Sequence, residues 1–71
     1  MSENRTLPEA FQEKVNTMPE YSHGVTRIRV ILKDGSRYSD VFVAWGSEIV
    51  KVGTTVELPF DPLRIVAVER Q

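Results

Sequence analysis

Apolar residues recur along this chain with two different periods. Leu7, Phe11, Val15 and Met18 follow one another at helical spacing, while Gln12, Glu13 and Asn16 turn elsewhere, so one narrow stripe is apolar. The pattern predicts a helix over 7–17. Thr6-Leu7-Pro8-Glu9 has the form of a capping box at its start, with Pro8 tolerated in the first turn, and Pro19 ends the segment. Three turns with so narrow a stripe are marginal alone, so the helix needs a surface to dock on. Residues 18–24 read as a connector, after which the period falls to two: Ile28, Val30 and Leu32 alternate with Arg27, Arg29 and Lys33. That is a half-buried strand.

Asp34-Gly35 accepts the backbone of a tight hairpin turn, and strand patterning resumes at Tyr38. A two-residue loop there sets Ile28 opposite Val41, Arg29 opposite Asp40 and Ile31 opposite Tyr38, each a favourable cross-strand pair. A second turn at Gly46-Ser47 places Val43 opposite Val50 and Val41 opposite Val52. Strands are thus predicted at 26–33, 37–45, 48–52 and 64–69, with a shorter one at 55–58. Pro59 and Pro62 cannot donate to a ladder, and Asp61 before Pro62 is placed to cap one helical turn. The expected core is Ile28, Val30, Leu32, Val41, Val43, Val50, Val52, Leu58, Ile65 and Ala67.

This order predicts a mainly β fold with a short N-terminal helix: a five-stranded SH3-like or Sm-like small barrel, or a strongly bent antiparallel meander. Ile28-Arg29-Val30-Ile31-Leu32-Lys33-Asp34-Gly35 resembles the first strand and turn of Sm-like proteins. Ser39-Asp40-Val41 stands where the Sm pattern has a glycine, Ala44-Trp45-Gly46 replaces its acidic, Asn-containing loop, and its Arg-Gly pair is missing. The resemblance therefore implies an architecture and not ring assembly or uridine binding.

A chain of 71 residues holds one small domain, here residues 6–71 behind a flexible lead of 1–5, with the barrel over 25–70. It has no cysteine and one histidine, so neither a disulfide nor a zinc cluster can staple it. The start lacks the basic flank and apolar run of a signal peptide, and no stretch is long and apolar enough for a membrane span. A cytoplasmic location and no membrane partner are expected. Net charge is −1, with two basic and four acidic groups in residues 1–24 against seven and six in the rest, which is not the footprint of a strong duplex binder.

Candidate chemistry is sparse. His23 follows Ser22, yet adjacent side chains rarely face each other and no acid is placed to orient the imidazole. The acidic residues lack metal-ligand spacing, and Gly35, Gly46 and Gly53 fall singly at turns and so form no phosphate loop. No enzymatic activity, metal or cofactor is expected. The sheet face opposite the core, carrying Arg27, Arg29, Ile31, Tyr38, Asp40 and Phe42, is the main candidate for a partner. It invites three readings: base stacking on Tyr38 and Phe42 with arginines on phosphates, cover by the N-terminal helix, or pairing with a second copy. Trp45 at a hairpin end is either a partner anchor or, the commoner role in so small a domain, a cap on the core. Phe60, in a rigid proline-flanked loop, is either a contact or a plug for the barrel end. The function these features support is a non-enzymatic module that binds another protein or itself, with weak single-stranded nucleic-acid binding as the alternative.

Overall fold

The computed structural model describes residues 4–71. Helix α1 spans Glu9–Asn16, followed by strands β1 (Val25–Leu32), β2 (Arg37–Ala44) and β3 (Glu48–Val52), one 3₁₀ turn at Pro62–Arg64, and β4 (Ile65–Arg70). The strands form one antiparallel sheet in the order β3-β2-β1-β4. It does not close into a barrel. The fifth strand expected at 55–58 is absent because the chain folds straight back on itself: Val52 and Thr55 exchange backbone hydrogen bonds of 2.9 and 3.1 Å, and the prolines beyond supply no donors. Among the described residues, no helix is long and apolar enough to cross a membrane.

In place of closure, the N-terminal segment covers the sheet. Leu7 and Val15 are completely buried in the same cluster as Ile28, Val30, Val43, Ile49 and Val68, with Phe11 and Met18 packed against it. The helical stripe therefore lies on the core face and not on the opposite one. Residues ahead of the helix guard the β3 edge. The Ile49 N–H donates to the Arg5 carbonyl at 2.8 Å and the Leu7 N–H to the Ser47 carbonyl at 2.7 Å, while the Arg5 guanidinium donates to the Val56 carbonyl at 2.5 Å. A covered edge cannot template pairing with another chain. This bridging role draws Thr6 away from the helix, so the expected capping box does not form. Pro8 is the N-cap, without a side-chain hydrogen bond, and its carbonyl accepts from the Phe11 and Gln12 amides.

Three one-residue register shifts interrupt the sheet, and two of them correct the expected pairing. The first hairpin turn holds three residues, Lys33 to Gly35, with Leu32 and Ser36 paired across it and Gly35 at φ +90° in the left-handed position such loops require. A bulge then restores the register: Ser39 and Asp40 together oppose Arg29, so Ile28 meets Val41 as expected but Val30, not Ile31, meets Tyr38. In β3 a shift at Val50 pairs Val43 with Ile49, and in β4 one at Val66 pairs Leu32 with Ile65 and Val30 with Val68. Ile49 and Val68 accordingly fill the core places expected for Val50 and Ala67, both of which are only half-buried, as is Leu58. Asp61 caps the 3₁₀ turn as expected, its Oδ1 accepting from the Leu63 amide at 2.9 Å.

The β3 shift can be tested by paired truncations. Ile49→Ala should lower stability by about 2–4 kcal/mol in denaturant unfolding, and Val50→Ala by much less, whereas an unshifted register requires the reverse order. The first turn has its own signature. The Ser36 amide donates to Asp34 Oδ1 at 3.0 Å, and this hydrogen bond is the main cause holding the Asp34 carboxyl below its ordinary 3.8. A depressed folded value means that its contribution to stability is present above the ordinary value and is lost as pH falls through the folded one. Carbon-detected NMR titration should place the Asp34 midpoint below 3.8, and a midpoint at or above it would refute the turn geometry.

Candidate functional site

The bulge at Asp40 separates residues expected to share a face. Tyr38, opposite Val30, points to the core side and lies 5.0 Å centroid to centroid from Phe60. Phe60 is itself buried in the core cluster, so it plugs the end of the fold and presents little surface to a partner. Phe42, opposite Arg27, stays on the outer face with Arg27, Arg29 and Ile31. There it is only 9% exposed. The connector supplies the cover: the Tyr21 ring meets Phe42 edge-on at 5.3 Å, Lys51 Nζ sits 4.9 Å above the Phe42 ring, and the Arg27 guanidinium lies 4.9 Å from the Tyr21 ring. Arg27 is 3.8 Å from Asp40 and Arg29 is 3.8 Å from Glu69, so each arginine faces a carboxylate. The outer face is thus a charge-balanced surface with a covered aromatic centre.

Trp45 departs furthest from expectation. It does not cap the core: the residue is 71% exposed. The residue opens the three-residue turn between β2 and β3 at φ +54°, a left-handed backbone that is unfavourable for a bulky side chain. Three contacts hold it. Its amide donates to the Gly24 carbonyl at 2.7 Å, its indole rests against Gly24, and the His23 ring meets it edge-on at 5.9 Å. Gly24 is favoured on two counts, since it lies at φ +75° and a Cβ there would stand 2.8 Å from the indole and displace it. Gly46, next to Trp45 at φ +74°, lies against the Asn16 side chain at the C-terminus of α1, and a Cβ there would collide with it.

Between α1 and this turn runs a groove of about 410 Å³, walled by Val15, Met18, Pro19, Glu20, Gly24 and Trp45 among others. Glu20 Oε2 accepts from the Gly24 amide at 2.7 Å, which fixes the carboxylate on the groove wall. Gly24 therefore organises the whole site, through its carbonyl to the tryptophan, its amide to the glutamate and its bare Cα beneath the indole. Among the described residues, no group of three or more His, Cys, Asp or Glu side chains is placed to hold a metal ion. Models of known protein families, curated proteins and solved structures were all compared with this chain, and none matches it.

Sequence reasoning placed Trp45 at a hairpin end and among the candidate contacts but did not find Glu20 or Gly24. The one available signal was a pair of glycines, Gly24 and Gly46, at the ends of strands flanking the only tryptophan. Gly24→Ala should destabilise by more than about 1 kcal/mol, the reverse of the small gain that a Gly-to-Ala exchange gives at a compatible position, because it adds both a left-handed strain and a close contact with the indole. Tryptophan emission should shift in the same variant while β-sheet circular dichroism at low temperature is retained. An unchanged emission maximum would show that the indole does not rest on Gly24.

Proposed function

We propose that this chain is a non-enzymatic binding module that recognises another protein through the Trp45 end of its sheet. The observation carrying this reading is the presentation of the indole. Leaving so large an apolar surface in water forgoes burial worth about 25 cal/mol per Å², and the left-handed backbone adds roughly 1–3 kcal/mol of strain. A turn that held only the fold together would need neither. Tryptophan is also among the residues on which interface binding energy concentrates. The paired charges of the outer face suit the polar rim of a protein contact.

Single-stranded nucleic acid is less well supported. Its reading needs Tyr38 and Phe42 side by side as a stacking platform with free arginines beside them. Tyr38 lies on the other face, Phe42 is covered, and Arg27 and Arg29 each face a carboxylate.

Affinity capture from the native cell with the whole chain as bait tests the proposal. We expect a specific protein to be retained by the unaltered chain, lost from a Trp45→Ala bait of unchanged thermal midpoint, and held equally at low and moderate salt. Retention of nucleic acid that falls steeply with salt would favour the alternative, because released counterions make such binding strongly salt-dependent. Retention of the same protein by the Trp45→Ala bait would move the contact elsewhere.

A further inference from the structure

We infer that the groove beside Trp45 receives a cationic side chain, a lysine or arginine of the partner protein. This rests on the reading of Trp45 as a partner-binding residue and names the chemistry of what it binds. The groove combines three features around one point. The exposed indole offers a π-face, the best of the protein side chains for a cation. The Glu20 carboxylate is fixed beside it by the Gly24 amide at 2.7 Å, leaving Oε1 as an acceptor. Met18 and Pro19 supply an apolar wall along which a methylene stem can lie.

Charge selects the occupant. Among the described residues no lysine or arginine lines the groove; Arg27 and Arg70 share the neighbouring cleft with Glu20, but Arg27 is paired with Asp40. Among the described residues that line the groove, Glu20 alone is charged. A purely apolar side chain would gain nothing from this carboxylate, and an acidic one would be repelled. A volume of about 410 Å³ also falls within the range of roughly 300–1,000 Å³ seen for ligand clefts. An extended cationic side chain satisfies all three features at once, with its head between carboxylate and indole and its stem on Met18 and Pro19.

Trp45 is the only tryptophan, so its fluorescence reports the groove directly. The full chain is titrated with N-acetyl-lysine amide and N-acetyl-arginine amide, with the uncharged N-acetyl-norleucine amide as the control, and the Gly24 amide is followed by NMR. We expect saturable shifts with both cationic probes and none with norleucine. Glu20→Gln keeps an acceptor for the Gly24 N–H while removing the charge, and should weaken binding by about fivefold, the upper range for an exposed ion pair. Norleucine binding as tightly as lysine, no saturable shift with either cation, or undiminished binding to Glu20→Gln would each overturn the inference. The two readings fail separately. Loss of the cation response with Trp45-dependent capture of a protein intact defeats only the cationic occupant. A cation response without such capture defeats the module and leaves the site.

Discussion

An open sheet exposes one apolar face that must be covered, and a chain this short has few residues left over with which to cover it. Here the cover is the segment from Leu7 to Met18, whose stripe enters the same cluster as the inward residues of all four strands. Complete burial of Leu7 and Val15 is worth roughly 1.5–3 kcal/mol each, a substantial share of the 5–15 kcal/mol that holds typical domains folded. The helix is therefore part of the core and could not be lost as an appendage. Its position has a second consequence. By ending at the β2–β3 turn, against Gly46, it forms one wall of the groove beside Trp45, so stability and the candidate site draw on the same packing.

The strands were legible because burial on one face imposes a period of two, and the apolar pairs Ile28 with Val41 and Val41 with Val52 stand where alternation places them. Helix and final strand were legible for similar reasons of periodicity and composition. What alternation could not reveal is where it is interrupted. Asp40, Val50 and Val66 each interrupt it by one residue, and a one-residue slip carries every later side chain to the other face. Val50 and Val66 are good strand residues with no turn chemistry of their own, so their local sequence does not distinguish a bulge from a regular ladder. Closure was misjudged for a related reason. Barrel and open sheet need the same strands in the same order, and what decides between them is whether something else can occupy the open face.

The candidate site was legible only in part. Arg27, Arg29, Ile31 and Phe42 do share the outer face, but the slip at Asp40 removes Tyr38 from it and joins that ring to Phe60. Phe42 is then covered by Tyr21, a connector residue whose contact depends on where the connector folds and not on any period. The groove at Trp45 draws its walls from helix, connector and turn, three segments brought together only by the tertiary packing of the helix. Glu20 carried no motif, and its role becomes visible only once the Gly24 amide is seen to hold it.

Among the described residues, two other than glycine adopt left-handed backbone, Asp40 and Trp45, and the contrast between them bears on function. Asp40 is of a type that tolerates this conformation, and its surroundings use it. The Gln71 side chain both donates to Asp40 Oδ1 and accepts from its amide, at 2.7 and 2.6 Å, the Gly53 amide donates to its carbonyl at 2.9 Å, and Arg27 lies nearby. The strain there is offset within the fold and creates the bulge that turns Tyr38 inward. Trp45 is a bulky residue with a greater steric penalty, and its strain directs the indole outward over Gly24. Its backbone hydrogen bond to Gly24 would form equally well with a small residue at that position. What a small residue could not reproduce is an aromatic surface held still beside a carboxylate, and rigidity of that kind matters when a second molecule must bind without further ordering cost.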